Sequence, residues 1–170
     1  MNKSWIANGF TAANALFGGL SIMMSISGEY HVAAICILIA MAADAFDGRV
    51  ARALGTAGPM GVELDSLSDD ISFGVAAGAL MYSYQLRELG AFGFIPCALL
   101  GAFCAFRLAR FNVKVTSIHG YFEGLPCPTV GVIIACYVLS GVKIWNWLAM
   151  VCVLALAVLM GSCLLYTSPS

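Results

Sequence analysis

Long apolar runs broken by short polar stretches are the dominant pattern along this chain. The runs fall near residues 5–27, 31–54, 61–85, 91–111, 127–142 and 145–165, and the breaks read "SGEYH", "GTAGPM", "QLRELG", "FNVKVTSIHGYFEGLP" and "GVKIWN". Gly and Pro punctuate most of the breaks, as turn chemistry requires. Most runs approach the ~20 residues that carry a helix across ~30 Å of hydrocarbon. The pattern predicts an all-α, polytopic membrane protein, a six-helix transmembrane bundle within residues 1–165, and no internal repeat interrupts it.

Composition reinforces that picture. Hydrophobic residues make up 61% of the chain and charged residues 10%, and the mean hydropathy is +0.93, outside the usual soluble range. One lysine precedes Trp5 and no small-residue cleavage motif follows a short apolar core, so the first run reads as a retained span. With a cytoplasmic N-terminus, Lys3, Arg49, Arg52, Arg107, Arg110 and Lys114 lie at the inner face and only Arg87 and Lys143 outside. That asymmetry predicts N-in and C-in topology. A net charge of -1 and the lack of any Lys/Arg run exclude nucleic acid as a partner. The seven cysteines have no C-x-x-C spacing and read as small buried hydrophobes. Residues 163–170, within "SCLLYTSPS", carry no basic anchor and read as an atypical tail, truncated or artefactual.

Ionisable residues concentrate in one stretch, "ADAFDGRVARALGTAGPMGVELDSLSDDISFG" at 43–74. On a helix Asp44, Gly48 and Arg52 follow at i, i+4 and i+8 with Asp47 beside them, and Asp65 and Asp69 form an i, i+4 pair on the next run. Each unpaired charge near the centre of a spanning helix costs roughly 2.5 to 3.5 kcal/mol. Two divalent cations would balance the four carboxylates of Asp44, Asp47, Asp65 and Asp69, and an oxygen-only donor set suits Mg²⁺ or Mn²⁺. Such a pair stabilises the attacking and leaving oxygens of a displacement at phosphorus. Gly48, Ala51, Gly58 and Gly61 leave little bulk beside the acids, so a diphosphate can approach the backbone, although each alone also suits plain helix packing. Arg52 offers that diphosphate a charge-assisted contact.

Asp44, Asp47, Gly48, Ala51, Arg52, Gly61, Asp65 and Asp69 match D-x2-D-G-x2-A-R-x8-G-x3-D-x3-D at every fixed position, and on this signature the chain resembles the CDP-alcohol phosphatidyltransferases. The resemblance implies a six-helix membrane enzyme, often a homodimer, that transfers a phosphatidyl group from a CDP-linked lipid to an alcohol and releases CMP. It implies metal ligation by Asp44, Asp47 and Asp65, a general base at Asp69 that also touches metal, and diphosphate contacts from Gly48 and Arg52.

The flanks address the acceptor. "DSLSDDISFGVA", "RLARFNV", "YFEGLPCPTVG" and the opening "NGFTAANALFGGLSI" resemble the phosphatidylserine synthase branch of that family, which implies CDP-diacylglycerol and L-serine as substrates at the cytoplasmic side of the cell (inner) membrane. Arg107 and Arg110, an i, i+3 pair, are candidates for the serine carboxylate, with Asn112 and Glu123 near the ammonium. The arginines serve equally as headgroup anchors. Asn8 and Thr11 either face the cytidine end of the donor or bond helix to helix. Asp70, an acid outside the signature, either supports the metal-binding acids from behind or faces the cytoplasmic vestibule, and the vestibule is the favoured reading. No Ser, Cys or His is placed for a covalent intermediate, which favours single displacement. Two other readings stay open: a sister enzyme using glycerol 3-phosphate or inositol, and a divalent-cation transporter.

Overall fold

Helix ends in the computed structural model follow the polar breaks of the sequence. Residues 4–54, 58–114 and 125–161 are described. They form α1 (Ser4–Ser27), α2 (Tyr30–Leu54), α3 (Pro59–Asp69), a π-helical segment (Asp70–Val75), α4 (Ala76–Tyr84), a 3-10 turn (Leu86–Leu89), α5 (Ala91–Lys114), α6 (Cys127–Leu139) and α7 (Asn146–Gly161). The atypical tail at 163–170 lies outside the described residues.

The two-residue link Gly28–Glu29 forces α1 and α2 into an antiparallel pair, and these two helices share the most extensive packing of the fold. The Phe10 and Phe46 rings meet across it at 6.3 Å. Pro59 occupies the first turn of α3, where a missing N–H costs nothing. From there α3, the π-helical segment and α4 follow one another without a break as a central rod, touched by α1, α2, α5 and α6. Helix α5 packs on α7, and α6 on α2.

Small residues let these helices close on one another. Ala33, Ala34 and Ala40 of α2 are fully buried, with Phe73, Leu80 and Val130 among the larger core side chains. Large apolar side chains point outward instead: Met23 is 62% exposed, Ile26 73% and Phe106 73%. Such an apolar exterior suits hydrocarbon and not water. Among the described residues, Gly9–Ser27, Tyr30–Arg49 and Ala91–Asn112 are long and apolar enough to cross a membrane.

Three expectations change. The run 61–85 is not one regular helix, because the π-helical segment interrupts it. The run 127–142 gives a helix of 13 residues, since Ser140 and Gly141 form a turn; the run 145–165 is helical over Asn146–Gly161, and its remainder lies outside the described residues. Cys36, Cys97, Cys104 and Cys127 are buried as expected, but Cys136 and Cys152 are exposed on the apolar exterior.

A polar clasp joins the ends of α4, α6 and α7. Buried Gln85 accepts a hydrogen bond from the Tyr137 hydroxyl and donates to the Ile144 carbonyl and the Asn146 side chain. Asn146 in turn donates to Glu88 at 2.7 Å. Gln85 is 16 residues beyond Asp69 along the rod, about 24 Å at 1.5 Å per residue, so the clasp braces the end of the bundle remote from the acids.

Candidate functional site

The aspartates of α2 and α3 face each other across the short connection between those helices. Carboxylate oxygens of Asp44, Asp65 and Asp69 all lie within 4.8 Å of one another. Asp44 and Asp65 are half-buried, while Asp69 is only 8% exposed. The Asp44 and Asp65 side chains are in hydrogen-bonding contact. Asp47 is buried as well but stands outside this trio; it accepts a hydrogen bond from the Thr11 hydroxyl and acts on Asp44 and Asp65 through its charge.

Helix α1 supplies the polar wall of the site. Thr11 and Asn14, at i and i+3, lie on one stripe of an otherwise apolar helix and are both buried. Asn14 Nδ2 donates to Asp69 Oδ1 at 3.0 Å. The Asn14 carbonyl accepts from the Ser72 hydroxyl at 2.9 Å, so α1 is fastened to the rod on both sides of the acid. Gly18, one turn further along, packs so close to Ser72 that any Cβ there would collide with its backbone. Asn14 was not assigned a role from the sequence, although its three-residue spacing from Asn8 and Thr11 is the signal that finds it.

The π-helical segment begins directly after Asp69. The N–H of Ala76 bonds to the carbonyl of Ile71, an i to i+5 step that adds one residue to the turn. Ser72 and Gly74 favour this locally, because one bonds across to α1 and the other carries no side chain. Asp69 and Asp70, adjacent on the rod and so about 100° apart around it, turn to different neighbours. Asp70 does not face an open vestibule: its carboxylate lies against Gly74 and Cys104 of α5, with Oδ1 buried.

The remaining candidates scatter. Gly48 is exposed, and Gly58 and Gly61 sit half-buried at the start of α3. Arg107 is half-buried and donates from Nη1 to Cys127 Sγ at 3.4 Å. Arg110 is exposed. Asn112 donates to Ser66 Oγ of α3 at 3.0 Å, next in sequence to Asp65. The side chains of Asn8 and Arg52, and Glu123 altogether, lie outside the described residues.

The donor set fits a hard divalent cation. Three carboxylates this close in a low-dielectric setting repel one another strongly unless a cation sits among them. An ion with bonds of about 2.1 Å holds opposite oxygens about 4.2 Å apart, near the 4.8 Å limit of this trio.

A family model described as CDP-alcohol phosphatidyltransferase matches residues 4–160. Among curated proteins, the chain is 38% identical over 133 residues to a CDP-diacylglycerol–serine O-phosphatidyltransferase of Helicobacter pylori, covering 78% of this chain and 56% of the relative. A Bacillus subtilis protein of the same description is 38% identical over 122 residues, with 71% and 68% covered. An archaetidylserine synthase of Methanothermobacter thermautotrophicus is 40% identical over 130 residues, with 75% and 55% covered. The chain thus spans little more than half the length of most of these relatives.

Proposed function

The chain belongs to the CDP-alcohol phosphatidyltransferase family, and from that premise we propose that it transfers the phosphatidyl group of CDP-diacylglycerol to L-serine, forming phosphatidylserine and CMP. The observation that carries the chemistry is the convergence of the Asp44, Asp65 and Asp69 oxygens within 4.8 Å of one another. The serine acceptor is supported by relatives that are themselves described as serine transferases or an archaetidylserine synthase.

In this reading Asp44, Asp65 and Asp69, with Asp47 beside them, hold two divalent ions, Mg²⁺ or Mn²⁺, which when bound neutralise charge on the attacking and leaving oxygens. Asn14 fixes Asp69 Oδ1, leaving the other carboxylate oxygen for the proton of the serine hydroxyl. Asp69 takes that proton while the hydroxyl oxygen attacks the β-phosphorus and CMP departs. Gly48, Gly58 and Gly61, with Asn8, Thr11 and Arg52, are assigned to binding the CDP-linked donor. Arg107 receives the serine carboxylate, and Arg110, Asn112 and Glu123 are the further candidates for the serine pocket. Six helices span the cell membrane with both termini and the acids at the cytoplasmic face, and the chain works as a homodimer.

Mass spectrometry of the lipid product tests the proposal. Purified protein given CDP-diacylglycerol, L-serine and Mn²⁺ should form phosphatidylserine, none should form with excess chelator, and restored metal should recover it. Product formation that is indifferent to chelation would remove the metal-dependent mechanism.

A further inference from the structure

Arg107 is held by an unusual partner. Its guanidinium donates to the thiol sulfur of Cys127, the first residue of α6. Cys127 is fully buried and touches Cys104 of α5, also fully buried, whose thiol faces Asp70 in turn. The Arg107–Cys127 hydrogen bond thus lies beside Cys104 and Asp70, which pack together against Gly74. Gly74 permits this closeness: a Cβ there would stand 2.7 Å from Asp70 Oδ1 and 2.9 Å from Cys104 Cβ.

This cluster lies beside the candidate site. Asp70 is the chain neighbour of Asp69, and Cys127 lies within electrostatic reach of the Asp69 carboxylate. A guanidinium on a long, flexible stem loses much rotamer freedom when it binds a carboxylate. An acceptor that already fixes one of its N–H groups removes part of that cost before the ligand arrives. Sulfur is a weak acceptor, so it can aim the fork without neutralising it.

We infer that Cys127 is a positioning residue for Arg107, presetting the guanidinium to receive the carboxylate of the acceptor alcohol, with Cys104 and Asp70 backing the thiol. The inference rests on the proposed reading of Arg107 as the serine carboxylate site.

The test is a steady-state comparison of the full chain with Cys127→Ala and Cys127→Ser, titrating L-serine at saturating CDP-diacylglycerol and then the reverse. Cys127→Ala should raise the KM for L-serine about five- to tenfold, the scale of one ordinary hydrogen bond, since sulfur is a weak acceptor. Its kcat and its KM for CDP-diacylglycerol should stay within about twofold, and Cys127→Ser, whose hydroxyl accepts the same N–H, should restore the serine KM. Should Cys127→Ala fail to fold, Cys127→Val, which fills the space but accepts no hydrogen bond, must give the same split. An unmoved serine KM, equal losses for both substrates, or a serine variant as poor as the alanine one would each overturn the inference alone. Wild-type protein without any serine-dependent turnover would overturn the functional reading and the inference with it.

Discussion

At the scale of single residues, the site is governed by what each carboxylate touches. Asp69 is nearly buried and tied to Asn14, Asp47 is tied to Thr11, and Asp44 and Asp65 lie more open between them. Asn14 therefore sets which oxygen of Asp69 faces the reacting alcohol. Replacing Asn14 with Leu should lower kcat about tenfold or more, since a buried acid left without its donor both reorients and loses a charge-assisted bond. The check is initial-rate kinetics beside a melting curve. A lower melting temperature with kcat unchanged would reduce Asn14 to a packing contact. The four signature aspartates were legible in the sequence because charge inside apolar runs is costly and needs a reason. Asn14 was not assigned, because a polar residue on an apolar helix has an equally good use as a helix-to-helix hydrogen bond, and only the contact with Asp69 decides between the two.

At the scale of elements, five of the six apolar runs appear as single helices among the described residues, because an apolar run satisfies its backbone groups internally as a helix and breaks where polar and turn residues begin. The third run was read less well. Its interruption over Asp70–Val75 leaves no mark in an apolar pattern whose turns differ by one residue. Asp69 and Asp70, as successive residues of one rod, point about 100° apart in any case, and Asp70 faces α5 and not an open vestibule. The contact between Gly18 and Ser72 holds the segment against α1. Gly18→Leu should force the two apart at a cost of about 1–3 kcal/mol, the range for overpacking a close contact. A fall in the unfolding midpoint in detergent, with a parallel fall in activity as Asn14 is displaced, is the expected result. A midpoint unchanged from wild type would show that the segment needs no such close approach.

At the scale of the whole molecule, the fold places chemistry at one end of the central rod and a polar clasp at the other. Helices α1, α2 and α5 meet the length and apolarity for crossing a membrane, and the proposed orientation, with both termini inside, follows from the charge asymmetry of the sequence. Single cysteines in a background otherwise free of cysteine check this directly in intact cells. A membrane-impermeant maleimide should label Ser27→Cys and Lys143→Cys from outside, and Glu63→Cys only after permeabilisation. Labelling of Glu63→Cys in intact cells would reverse the topology and put the acids on the outer face.

The central claim is that the aspartate cluster performs a metal-dependent transfer to serine, and CMP release tests it most directly. Purified protein would be given CDP-diacylglycerol and Mn²⁺ or Mg²⁺ with L-serine, glycerol 3-phosphate or inositol in parallel, and Asp69→Asn as control. The account predicts CMP release that needs both metal and L-serine, and a fall of about 100-fold or more in the Asp69→Asn protein, the scale of a lost general base. Release driven by one of the other two alcohols, or an Asp69→Asn variant that keeps more than about a tenth of the wild-type rate, would contradict it.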